Sequence, residues 1–255
     1  MLGGVRFGLP ALFASVACVL AASCSGPGTT IVPTGAANNG RPDYWGHRAG
    51  PQGFDTVIID AGHGGKDSGA TSGATGQKEK DLALDTAKRL QRQLGGRVKT
   101  RLMRSDDTFI DLDDRAARAS GKGNTILVSL HYNSSGSAIR GPETYYWRVD
   151  SHGLATRFQR AMASVSPAES GNRGMVRRRL RLTRNPDIPC VLLEIGYLSN
   201  PAEARLCADP GYRDKMAAAI ARAILDQQAK GDAGTGPLPR PINAPPSRPT
   251  DPAGS

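Results

Sequence analysis

Thr56-Val57-Ile58-Ile59-Asp60-Ala61-Gly62-His63-Gly64-Gly65 opens the folded part of this chain. The run from Thr56 to Ile59 is β-branched with no polar alternation, which predicts a strand covered on both faces. Asp60 and the Gly-rich turn close it, so the strand ends in a tight loop that carries His63. Working outward, Lys80 to Leu94 puts Leu82, Ala83, Thr86, Ala87, Leu90 and Leu94 on one helical face, with Gly95-Gly96 as the stop. Val98 to Met103 predicts a second strand and Asp111 to Ser120 a charged helix. Thr125 to Leu130 is another apolar strand, ending at His131. Glu143 to Val149 follows as a strand, Gly153 to Val165 as a helix, and Cys190 to Leu193 as a strand ending at Glu194. Asp214 to Ala229 is a final Ala-rich helix.

Strands alternating with helices, with continuous apolar runs, predict an α/β fold. The expected form is one domain with an open, mostly parallel twisted sheet covered by helices on both faces. Functional groups of such a sheet sit at the carboxyl ends of its strands. His63, His131 and Glu194 all end or follow a core strand, where a polar side chain needs a partner.

The chain has 255 residues and a formal charge of +10, with 33 Lys and Arg against 23 Asp and Glu. Residues 1–24 predict an export signal: Arg6 is its only charge, and the apolar run from Phe7 to Ala22 is shorter than the roughly 20 residues of a membrane span. Leu20-Ala21-Ala22-Ser23-Cys24 resembles a bacterial lipoprotein cleavage site, which implies a lipid anchor on Cys24; ordinary cleavage to a soluble product is the alternative. Residues 25–53 read as a flexible tether and 54–230 as the one folded domain. Residues 231–255, with seven Pro, four Gly and no aromatic residue, read as a tail without structure. Export removes only one positive charge, leaving +9, and makes nucleic acid an unsuitable partner. The cluster Arg173, Arg177, Arg178, Arg179, Arg181 and Arg184 also lacks neighbouring aromatics in sequence for stacking on bases. It reads either as a basic rim for an acidic polymer or as a solvated face. Cys190 and Cys207 remain as a possible disulfide in an oxidising compartment, against a buried free thiol on the Cys190 strand.

Two histidines at strand ends with carboxylates nearby suit a catalytic metal, and His₂Glu is a known zinc set. Spacing leaves the third ligand open among Glu79, Asp67 and Asp81. Asp60-Ala61-Gly62-His63-Gly64-Gly65, Gln77-Lys78-Glu79-Lys80-Asp81, Ser129-Leu130-His131-Tyr132-Asn133-Ser134 and Leu193-Glu194-Ile195-Gly196-Tyr197-Leu198-Ser199-Asn200 stand in this order. Together they resemble the zinc-dependent N-acetylmuramoyl-L-alanine amidases of the Amidase_3 type, which are peptidoglycan hydrolases. The similarity runs over about residues 55 to 230 and includes Arg104 to Arg115.

The resemblance implies His63, Glu79 and His131 as ligands of Zn2+, and Glu194 as the catalytic carboxylate. It implies a substrate, peptidoglycan, cleaved between N-acetylmuramic acid and the L-alanine of the stem peptide, and a place in the cell envelope or periplasm. An inactive wall-binding homologue is the alternative, disfavoured because all four positions are filled. Tyr132 departs from the family's usual small residue and either borders the groove or packs. The 62 residues from Tyr132 to Leu193 hold one substantial helix by this reading. That is too little for the plugging helix of some relatives, so the site is expected to be open without an activator.

Overall fold

The computed structural model describes residues 49–239; the export signal with Cys24, and the outer parts of tether and tail, lie outside them. The Thr56 run forms β1 (Thr56–Ala61), with parallel neighbours β2 (Lys99–Leu102) and β3 (Thr125–Asn133). Parallel strands need long crossovers, supplied by α1 (Glu79–Leu94) and α2 (Leu112–Ala119). β4 (Glu143–Tyr146) and β5 (Gly174–Arg177) flank α3 (His152–Val165) and pair parallel to each other. After the one-turn α4 (Arg181–Arg184) comes β6 (Cys190–Tyr197), parallel to β3 and antiparallel to β4. The sheet order is β2-β1-β3-β6-β4-β5. α5 (Pro201–Ala208) and α6 (Pro210–Lys230) complete the described elements.

The two faces of the sheet differ in thickness. Val57, Ile59, Ile126, Val128, Leu130, Val191, Leu193 and Ile195 point into the larger core under α1, α3 and α6. Their strand neighbours Ile58, Leu127 and Cys190 point into a smaller core with Ile110, Ala116 and Leu182 from the α2 and α4 side. Alternation therefore assigns Tyr132 to the thick face, where it is fully buried and its hydroxyl meets that of Thr86 at 2.7 Å. It packs and does not border the groove. His131 and Glu194 fall on the thin face.

Several expectations are corrected. β3 and β6 run through His131 and Glu194 instead of stopping there, because Tyr132 and Ile195 still have the thick core to enter. Cys190 and Cys207 are both buried free thiols; they lie in the smaller and larger cores on opposite faces of the sheet, so no disulfide joins them. Residues 231–239 and 49–53, expected to lie in the tail and the tether, are held against the domain. Arg157 Nη2 donates to the carbonyls of Gly231 (2.9 Å) and Ala233 (2.6 Å), and Asp232 accepts from the Gly50 amide (2.7 Å). The Arg cluster divides: Arg173 directly precedes β5, Arg177 ends it, Arg179 lies just past it, and Arg184 is buried. Trp147 supplies the aromatic absent from the local sequence, with Arg177 and Arg179 each 5.5 Å from its ring.

Candidate active site

At the end of β1 the backbone turns sharply. His63 has φ +60°, the one non-glycine residue among those described in the left-handed region, a conformation that costs energy unless neighbours hold it. Arg115 supplies that hold, donating to the carbonyls of His63 (2.6 Å) and Ala61 (2.8 Å) while pairing with the buried carboxylate of Asp60. Arg104 donates to the carbonyls of Ala61 (2.9 Å) and Gly62 (2.8 Å). The glycines are needed sterically: a Cβ on Gly62 would meet the His131 ring at 2.3 Å, and one on Gly69 would meet Glu79 Oε2 at 2.5 Å.

Three side chains then converge. His63 Nε2 lies 3.0 Å, and His131 Nδ1 2.9 Å, from Glu79 Oε1. The candidate ligand atoms of the three residues all lie within 4.8 Å of one another. Glu79 comes from the first turn of α1 and is buried. It accepts the Tyr132 amide at Oε1 (3.1 Å) and the Ala70 amide at Oε2 (2.9 Å), which fixes its orientation. Asp67 binds the other face of the site's first histidine, with Oδ2 2.8 Å from His63 Nδ1. A proton on Nδ1 leaves Nε2 free to ligate, the usual way a carboxylate sets the tautomer of a ligating imidazole. Asp81 is exposed on α1, outside this group. Of the three carboxylates left open by spacing, Glu79 joins the two imidazoles, Asp67 orients one of them, and Asp81 does neither.

Burial alone would lower the His63 pKa, but the hydrogen bonds and charges of Glu79 and Asp67 outweigh it and raise it to about 9. His131 is likewise raised against burial by Glu79. Burial would raise Glu79; bonds and charges from His131 and His63 instead hold it well below the usual carboxylate range. A cation placed among these groups would be met by two imidazole nitrogens and a carboxylate. This donor set fits a catalytic metal with an open position.

Glu194 is opposite His131 in the β3–β6 register. Its Oε2 is buried with no hydrogen-bond partner. Burial, assisted by the negative charges of Glu79 and Glu143, raises its pKa to about 7 although His131 opposes the shift. An orphaned, buried carboxylate oxygen beside such a donor set is able to accept a proton and give it up again. At the first turn of α2 a cleft of about 580 Å³ opens, lined by His63 and His131 together with Phe109, Leu112 and Leu182. Phe109 and Leu112 are 37% and 54% exposed, the exposed large apolar residues of the described chain. Sequence reasoning missed Arg115 and Glu143. Asp60 at a strand end was the available signal for the first, since a buried charge needs a counter-charge; nothing in the local sequence marks the second.

The family model described as N-acetylmuramoyl-L-alanine amidase (Amidase_3) matches residues 57–226. A Staphylococcus aureus protein described as "Probable cell wall amidase LytH" is 36% identical over 175 residues, covering 65% of this chain and 55% of that protein. The chain thus spans about half the length of the curated relatives it matches. Among solved structures, the N-acetylmuramoyl-L-alanine amidase from Clostridium difficile 630 is 33% identical with a TM-score of 0.64, covering 69% of this chain and 97% of that one. The catalytic domain of CwlV, the amidase from Bacillus (Paenibacillus) polymyxa var. colistinus, is 36% identical with a TM-score of 0.64, covering 68% and 97%. The likeness extends over the same stretch that builds the sheet and brings the four motifs to one end of it, and the chain belongs to the Amidase_3 family of N-acetylmuramoyl-L-alanine amidases.

Proposed function

We propose that this chain is a zinc-dependent peptidoglycan hydrolase that cleaves the amide between the lactyl group of N-acetylmuramic acid and L-alanine of the stem peptide. The observation that carries this reading is the partnerless, buried Glu194 Oε2 beside the converging His63, Glu79 and His131. Those three residues would hold the zinc ion, and Glu194 is the catalytic carboxylate. Bound zinc supplies a Lewis acid for the scissile carbonyl and lowers the pKa of water to about 7. Glu194 takes a proton from the attacking water at its free oxygen and delivers it to the leaving amine. A carboxyl brought to about 7 by burial is matched to accepting and returning a proton near neutrality. Asp67 keeps the His63 proton on Nδ1, and Arg115 keeps the loop in its strained turn.

The wall relatives support a place in the cell envelope, and the reading of Cys24 as a lipid anchor rests on the export-like N-terminal sequence alone. Between Tyr132 and Leu193 the long helix is α3, and α4 is a single turn at the cleft edge through Leu182. That supports a site open without an activator. The test is digestion of purified peptidoglycan by the full-length protein alone. Stem peptides with new L-alanine amino termini are expected, abolished by a chelator and restored by zinc. New reducing sugar ends in their place would overturn the bond assignment, and dependence on an added partner would overturn the open site.

A further inference from the structure

Glu143, at the start of β4, stands opposite Glu194 in the antiparallel register and is itself buried. Its Oε2 accepts from the hydroxyls of Tyr145 (2.9 Å) and Tyr197 (2.8 Å), and Arg173 Nε approaches it at 3.6 Å. The Tyr197 hydroxyl also accepts from Asn133 Nδ2 (3.2 Å), two residues beyond His131. The Arg173 guanidinium lies 5.3 Å from the Tyr197 ring centre, and its backbone N–H donates to the Pro142 carbonyl (3.1 Å). A continuous set of contacts therefore joins the strand of His131 to Arg173.

Within this network the exposure is uneven. The Glu143 side chain is 5% exposed and that of Arg173 is 37%. A buried acid, fixed by two phenols, thus stands beside a cation that is more than a third exposed. A guanidinium has five N–H groups in a planar fork, and Glu143 is the only carboxylate it meets among the described residues. Exposed Arg140 and Arg178 add positive charge near the same network, acting on Glu203 and Tyr145 respectively. The cleft on the far side of the catalytic group differs. Its lining combines Phe109, Leu112 and Leu182 with the carboxylates of Asp67, Asp111, Asp113 and Asp114, so it is the more acidic side, and the exposed cations of the β4–β5 side favour an anion there.

The proposed substrate has the same asymmetry. Its sugar side is an uncharged pyranose, whereas its peptide side carries carboxylates beyond L-alanine. We infer that Arg173 is a specificity-determining residue that pairs with a stem-peptide carboxylate on the leaving side of the scissile amide, held ready by Glu143 and Tyr197. This rests on the activity proposed above and adds the direction in which the substrate lies.

The test compares full-length wild type with Arg173→Ala and Arg173→Lys. Binding of free stem peptide, which requires no hydrolysis, is measured by calorimetry for the carboxylate form and for its carboxamide analogue. Hydrolysis of the corresponding muramoyl-peptides gives KM and kcat. Wild type is expected to favour the carboxylate about tenfold, the low end for a charge-assisted hydrogen bond at a partly exposed site. Arg173→Ala should erase that preference by raising KM while kcat changes little, and Arg173→Lys should restore part of it. A wild type that binds both forms equally, or an Arg173→Ala that weakens both equally, overturns the inference. Discrimination without cleavage would instead sink the proposed activity and leave this assignment standing.

Discussion

Glu79 and Glu194 carry the same carboxylate in surroundings that differ in what donates to it. Two backbone amides and two imidazoles converge on Glu79, which stays ionised; Glu194 Oε2 has no donor and its pKa rises to about 7. Glu79→Ala is accordingly expected to lose bound zinc and activity together. Glu194→Gln should keep the zinc and the fold while turnover falls by roughly 10²–10⁴, the usual share of general acid–base catalysis. Metal analysis beside turnover separates the two, and the reverse pattern would exchange their roles. The histidines set a pH dependence. Metal-free His63 is raised to about 9, so its contribution to the metal-free fold is complete below its ordinary 6.5 and lost as pH climbs through about 9. Zinc uptake runs oppositely because the metal displaces that proton. Affinity in chelator competition should rise about tenfold per pH unit between those values for one displaced proton. A flat profile would mean the ring is neutral before metal arrives. The names of these residues were legible in the motifs, but the choice of Glu79 over Asp67 and Asp81 needed either the family resemblance or the folded loop, since spacing alone left all three possible.

The elements that sequence patterning revealed are those with an apolar face. β1, β3, β6, α1 and α3 answer to their runs within a few residues. β5 was missed because Gly174-Met175-Val176-Arg177 is an edge strand, half buried, where charge is tolerated and guards an open edge. α5 was missed, and α6 begins four residues before its expected start. Both open on a cap followed by proline: Asn200 Oδ1 accepts from the amides of Ala202 and Glu203, and Asp209 from that of Gly211. That signal was present in sequence and outweighed by weak apolar periodicity. Between helices, Asp85 on α1 takes Arg89 Nε at 2.7 Å and Arg213 Nε of α6 at 2.5 Å. Burial would raise its pKa, but both guanidiniums hold it below 3.8. A depressed carboxyl contributes stability above its unfolded value and loses it as pH falls through the folded one. Asp85→Asn should therefore cost about 1 kcal/mol at pH 7, an allowance for a partly exposed pair. In urea titrations that difference should shrink below pH 3.8. A difference persisting at pH 2 would assign the loss to hydrogen bonding instead of charge.

At the scale of the molecule, the N-terminal sequence predicts an anchor that a single substitution tests. Cys24→Ser should move the protein from the membrane to the soluble fraction, because acyl chains contribute about 0.8 kcal/mol per buried CH₂. Equal partitioning of mutant and wild type would remove the anchor from the account. Sequence by itself determined the α/β class and, from apolar period alone, the strand ends that carry His63, His131 and Glu194; the motifs, through the family resemblance, added Glu79. Apolar period and short motifs are local properties, readable within a few turns of chain. Tertiary structure decided what depends on which face a residue is given and what meets it from far along the chain. It put Tyr132 in the thick core, set Cys190 and Cys207 on opposite faces of the sheet, and ordered residues 231–239 against α3. It also placed Arg115 under the His63 turn and Glu143 opposite Glu194, contacts 52 and 51 residues apart in sequence. No local pattern encodes such pairs, because a buried charge is stable only once its distant partner has been folded against it.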